Sequence, residues 1–131
     1  MLLSNSDYHL LAYLHDARCN EVLWDCNDPN SRSLHIVAIV DPEAGYPLWD
    51  GKTLEITLVN VVGACFEALG FVLGEENLDS WRLGVSESFE RECEYLKLRG
   101  ITTPPVRFTI TFRSGSILEV VCSGVIVEEK R

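Results

Sequence analysis

His15 and Asp16 are the residues whose types most resemble parts of a reactive site. They lie in the stretch YHLLAYLHDARCNEVLW, Tyr8–Trp24, with His9 and Cys19 nearby, in a chain that has three histidines. Adjacent side chains on an extended chain point to opposite faces, which does not suit a base and its orienting carboxylate. No serine stands in a nucleophile motif such as G-x-S-x-G. We therefore predict a non-enzymatic protein without catalytic residues; a hydrolase that uses His15 and Asp16 is the alternative.

The same two residues suit a structural role at the end of a helix. There Asp16 would accept hydrogen bonds from turn amides, and His15 would lie near the negative end of the helix dipole. The residue types of Asp7, His9, His15, Asp16 and Cys19 also suit a metal, but their spacing matches no known ligand pattern, such as two histidines at i and i+4. We expect neither a metal nor a cofactor.

The five cysteines and the third histidine also favour structural roles. The cysteines are widely spaced and include no C-x-x-C pair, which predicts reduced thiols packed as small hydrophobic groups. His35 lies within the apolar run LHIVAIV, so we expect a solvent-facing or hydrogen-bonded side chain.

Several acidic and aromatic residues are candidates for contact with a partner. Glu75, Glu76 and Asp79 precede Trp81, in a segment that is either a solvated loop or a surface for a basic partner. Trp49 is either a plug of the core or an exposed anchor. The candidate partner-binding residues are His15, Asp16, Trp49, Glu75, Glu76, Asp79 and Trp81.

The net charge of −9 limits the classes of partner. Binding to a nucleic-acid backbone requires a basic surface, so we expect no nucleic-acid partner. An acidic surface instead attracts basic proteins by electrostatic steering.

The first half of the chain shows the alternation that is typical of strands. Ser6 or Asp7 can cap a short helix that ends near His15. Segments 17–25 and 34–41 are predicted strands, joined as a hairpin by turn residues around Asp28-Pro29-Asn30. A further strand follows the Asp50-Gly51 turn, where Leu54, Ile56 and Leu58 alternate with polar residues. Gly63 marks a bulge or bend before another strand that runs through 66–71.

The second half adds a helix and a hairpin. The residues of 86–99 allow a helix or a strand; the helix is favoured, with Gly100 as its C′ residue. Segment 106–113 alternates clearly, turns at Ser114-Gly115 and returns as one strand over 117–127. These elements predict a mainly β (α+β) fold: an antiparallel curled sheet, β-sandwich or half-barrel built from hairpins, with one or two short helices.

Length and composition favour one soluble domain, residues 1–131. The N-terminal segment MLLSNSDYHLL has no basic region, and no apolar run reaches the roughly 18 residues that cross a bilayer. We therefore expect a cytoplasmic protein without a membrane partner. An exposed strand edge would allow a homodimer.

The succession LHDARCNEVLW, LHIVAIV, LEITLVNVVGACFEALGF and ENL resembles a pattern in small bacterial proteins that include immunity proteins of polymorphic toxin systems. In these proteins a histidine-aspartate-alanine motif precedes the first strand. The resemblance covers about the first 80 residues; the loop DPEAGYPLWDG is longer here, and the last third matches only as a generic hairpin. It implies a mostly β protein that binds and neutralises a toxin.

Charge and resemblance together predict a binding protein, immunity-like, whose acidic surface meets a basic, toxin-like protein. The alternatives are a small-ligand-binding β half-barrel, which needs an apolar cavity, and a domain without catalysis whose role is unknown.

Overall fold

Eight antiparallel strands form one curled sheet that does not close, together with two short helices, in the part of the chain that the structure describes. The structure is a computed structural model that describes residues 1–25, 32–68, 70, 76–83 and 90–131. The predicted mainly β fold is therefore confirmed. The strands are β1 (Arg18–Asp25), β2 (Ser33–Ile39), β3 (Thr53–Val59), β4 (Gly63–Glu67), β5 (Glu76–Leu83), β6 (Val106–Phe112), β7 (Ile117–Cys122) and β8 (Gly124–Glu129); the helices are a 3-10 helix (Asn5–Leu14) and α1 (Glu90–Leu98).

The strand order across the sheet is β4-β7-β6-β5-β1-β2-β3-β8. The pairing of β1 with β5 joins the two halves and is short, since it covers only Arg18 with Asn77 and Cys19 with Glu76. The long pairings lie within each half. We call β1, β2, β3 and β8 the first half of the sheet, and β4, β5, β6 and β7 the second half.

The described residues form a hydrophobic core on the inner face of the curled sheet. Ile36 and Ile56 come from the first half and Phe108 and Ile110 from the second, and all four are completely buried. Because side chains alternate along a strand, the residues between them face outward. The alternation predicted for β3 and β6 is thus confirmed, whereas in β2 the outward-facing Val37 is buried as well.

The 3-10 helix covers one side of this core. It begins after Ser4, rather than at Ser6 or Asp7, and the Asp7 carboxylate accepts hydrogen bonds from the Ser4 N–H (3.1 Å) and hydroxyl (2.9 Å). Leu11 and Leu14 are buried. Tyr8 meets Phe108 edge to face, with ring centroids 5.3 Å apart. The helix therefore contributes directly to the packing of the sheet.

The helix alternative for residues 86–99 is confirmed in the described part of that segment. The α1 helix ends in a Schellman motif: Ile101 N–H donates to Leu96 C=O, and Gly100 N–H donates to Lys97 C=O, at 2.9 Å each. Gly100 has a φ of 76°, which favours glycine.

Two strand predictions need correction. The return strand predicted over 117–127 breaks at Ser123 into β7 and β8, which lie in different halves of the sheet. Ser123 N–H donates to Val59 C=O (2.9 Å), and its hydroxyl accepts from the Asn60 side chain (3.0 Å), so the chain turns there. Strand β5 was not predicted, because a bulge at Asp79 interrupts its alternation.

Some predictions lie outside the described residues: the turn at 28–30, Cys26, Glu75, and residues 69 and 71 of the strand predicted through 66–71. That strand is shorter than predicted, because β4 ends at Glu67 and the described Ala68 and Gly70 are not part of it. No helix in the described ranges is long and apolar enough to cross a membrane.

Candidate functional site

His15 and Asp16 contact each other in the turn between the 3-10 helix and β1. Asp16 has a φ of 66°, and this left-handed conformation brings its Oδ2 to 3.0 Å from His15 Nδ1. The helix ends at Leu14, close to the predicted end near His15. The two residues therefore lie in a turn and not in an extended strand, where their side chains would point to opposite faces. Asp16 N–H donates to Leu78 C=O (2.9 Å), which ties the turn to β5.

Asp16 also forms an ion pair with Arg113, from the turn between β6 and β7. The His15 side chain is 59% exposed. Among the residues with a described position, Asp16 is the one hydrogen-bond or ion-pair partner of its ring. His15, Asp16, Asp41 and Glu43 line a cleft of about 220 Å³. Asp16 thus joins His15 and Arg113 in a network at the protein surface. No described serine or cysteine side chain lies at hydrogen-bond distance from His15.

The two tryptophan candidates belong to the core. Trp49 is 5% exposed and Trp81 is 4% exposed. Trp49 packs edge-on against Tyr46, at 5.1 Å between ring centroids, and Trp81 packs against Phe108 at 5.9 Å. Of the two alternatives for Trp49 the core plug is correct. Neither side chain offers an exposed anchor for a partner.

The acidic candidates near Trp81 differ in their exposure. Glu76 is buried, and its carboxylate accepts a hydrogen bond from the Ser114 N–H at 3.0 Å. It holds the β6–β7 turn and is not exposed at the surface. Asp79 is exposed at the β5 bulge, where the Thr111 hydroxyl approaches it at 3.5 Å. Glu75 lies outside the described residues, so Asp79 is the one member that the structure places at the surface.

A more extensive acidic surface lies on the outer face of the first half of the sheet. The register pairs Glu21 with Val37, Val37 with Glu55, and Glu55 with Glu128. Residues that are directly paired share a face, so three glutamates stand in one row across four strands. We call Glu21, Glu55 and Glu128 the glutamate row. The sequence does not predict this row, because its only signal is one glutamate at a polar position in each of three separate strands.

Basic groups compensate this row only in part. Lys130 Nζ lies 3.9 Å from Glu21 Oε2, and His35 Nδ1 lies 3.7 Å from Glu55 Oε1. Glu128 is exposed and has no ion-pair partner among the described side chains. Side-chain exposure is 45% for Glu21 and 42% for Glu55. The row is therefore accessible and remains net negative.

His35 is hydrogen-bonded on this face, as predicted. Its Nε2 lies 3.0 Å from the Ser33 hydroxyl and its Nδ1 lies 3.1 Å from the Thr57 hydroxyl. Around it, Leu23 is 51% exposed and Ile126 is half-buried. The outer face thus combines carboxylates with accessible apolar groups.

The cysteines differ in environment. Burial raises the pKa of Cys19 to about 11 and that of Cys122 to about 12, so both thiols are protonated at neutral pH. Cys65 is exposed, and Cys93 is half-buried. Packing as small hydrophobic groups is confirmed for Cys19 and Cys122 only. Within the described ranges no three His, Cys, Asp or Glu side chains are grouped so that they could hold a metal ion.

No protein-family model, no curated protein and no solved structure matches the chain.

Proposed function

We propose that the protein is a non-enzymatic, cytoplasmic, immunity-like binding protein whose glutamate row meets a basic protein partner. The observation that carries this proposal is the direct cross-strand pairing of Glu55 with Glu128. Like charges that face each other across adjacent strands destabilise a sheet. A basic partner would turn this cost into a favourable contact.

The surroundings of the row support a protein partner. Leu23 and Ile126 lie two residues from Glu21 and Glu128 on the same outer face. Interfaces commonly surround an apolar centre with charged groups that set partner choice and association rate. The net charge of −9 adds long-range attraction for a basic protein.

Charge reversal of the row tests the proposal. The wild-type chain should capture a basic protein from native cells, and high salt should release that protein. The variant Glu21→Lys/Glu55→Lys/Glu128→Lys should no longer capture it. A toxin gene beside the coding gene would identify the partner to use. Co-expression of that toxin with the wild-type chain should then restore growth, whereas co-expression with the triple lysine variant should not.

A matched control separates the row from overall charge. Glu67, Glu94 and Glu119 are exposed outside the first half of the sheet, and their reversal to lysine changes the net charge equally. This control should weaken capture much less. Equal loss in both triple variants, or capture that does not depend on salt, would contradict a role for the row.

A further inference from the structure

A mostly apolar cleft opens beside the last residues of β1 and the first of β2. Its volume is about 440 Å³, and it reaches across to β4 and β7. Its lining includes Trp24 and Phe66, which have 42% and 46% of their surfaces exposed, together with Val22, Leu34 and Leu118. A volume of a few hundred Å³ with an apolar lining is typical of small-molecule sites.

Arg32 is the charged residue of this lining. Its backbone C=O accepts a hydrogen bond from the Val61 N–H at 2.9 Å, which fixes the residue at the start of β2. The side chain is half-buried and forms no ion pair with any residue that has a described position. A guanidinium held against apolar surface gains most from a carboxylate, which it can bind through two parallel hydrogen bonds.

We infer that this cleft binds a small apolar monocarboxylate, with the hydrocarbon part between Trp24 and Phe66 and the carboxylate on Arg32. The single cation among the described lining residues, Arg32, suits a ligand with a single anionic group. The net charge of −9 opposes polyanions such as nucleotides, so apolar contact must supply much of the affinity. This site is independent of the glutamate row, which lies on the outer face of the sheet.

Titration with decanoate, below the concentration at which it forms micelles, tests the inference. Trp24 is exposed whereas Trp49 and Trp81 are buried, so binding should shift the emission of Trp24 in a saturable way. Calorimetry should report the same affinity, and Trp24→Phe should abolish the emission change but keep the heat of binding.

The carboxylate contact is tested by charge. Arg32→Gln should weaken decanoate binding about tenfold or more, because a charge-assisted hydrogen bond is lost. Arg32→Lys should keep part of the affinity, and decanol should bind the wild-type chain no better than decanoate binds Arg32→Gln. Arg18→Gln, which removes an exposed arginine on β1, should leave binding unchanged and controls for overall charge.

Three results would overturn the inference. The first is the absence of saturable binding by both methods in a folded wild-type protein. The second is equal affinity for decanol and decanoate, with no effect of Arg32→Gln. The third is a dimer in sedimentation velocity that Phe66→Ser dissociates, without decanoate binding, which would assign the cleft to a second copy of the chain.

Discussion

Replacing Glu55 by lysine should stabilise the fold while it weakens binding to a basic partner. Glu55 pairs directly with Glu128 on the outer face, so Glu55→Lys converts a repulsive cross-strand pair into an attractive one. Such pairs contribute roughly 0.2–1 kcal/mol in either direction. Because the Glu55 side chain is 42% exposed, screening keeps the total gain at about 0.5–1 kcal/mol.

Urea unfolding measures this gain as a higher midpoint with an unchanged slope. The difference should shrink at 1 M salt, where the screening length is about 3 Å. Glu128→Lys should act similarly, whereas the double variant places two lysines opposite each other and should return towards wild-type stability. If the stability gains of the two single variants instead add in the double variant, Glu55 and Glu128 do not repel each other across the strands.

Three further predictions concern local geometry and thiol chemistry. Asp16→Ala should be less stable than Asp16→Gly by about 1 kcal/mol, and should unfold at a lower temperature, because only glycine adopts the φ of 66° without strain. Gly100→Ala should cost about 1 kcal/mol in urea unfolding, since the φ of 76° ends the α1 helix and a Cβ there meets open space. Thiol reagents at neutral pH should modify Cys65 before Cys19 and Cys122, as measured by mass spectrometry. Burial raises the pKa of Cys19 from 9.0 to about 11 and that of Cys122 from 9.0 to about 12. The stability that these protonated thiols contribute is therefore full below pH 9 and is lost as the pH rises towards 11 and 12.

The sequence predicts those strands that alternate without interruption. Leu54, Ile56 and Leu58 are buried and the residues between them face outward, because one face of β3 covers the core and the other meets solvent. Alternation fails to reveal β5, since the bulge at Asp79 shifts the side chains that follow it. It also fails at Ser123, where contacts with Val59 and Asn60, distant in sequence, break an apolar run.

The candidate site is less accessible to sequence-based reasoning. Whether Trp49 and Trp81 are buried depends on tertiary packing, which their neighbours in sequence do not reveal. The glutamate row depends on the register of three strand pairings, and a shift of one residue would move each glutamate to the opposite face. By contrast, the contact between His15 and Asp16 is local and would follow from a turn with positive φ at Asp16.

The pairing of β3 with β8 also bears on how the chain folds during synthesis. Thr57 pairs with Ile126, so one edge of β3 stays open until nearly all of the intervening chain has left the ribosome. At typical translation rates this interval lasts several seconds. Pairings so distant in sequence slow folding, because a large loop must close before its contacts stabilise the sheet. During that interval the nascent β2–β3 hairpin presents an open strand edge, which is a template for pairing with another chain.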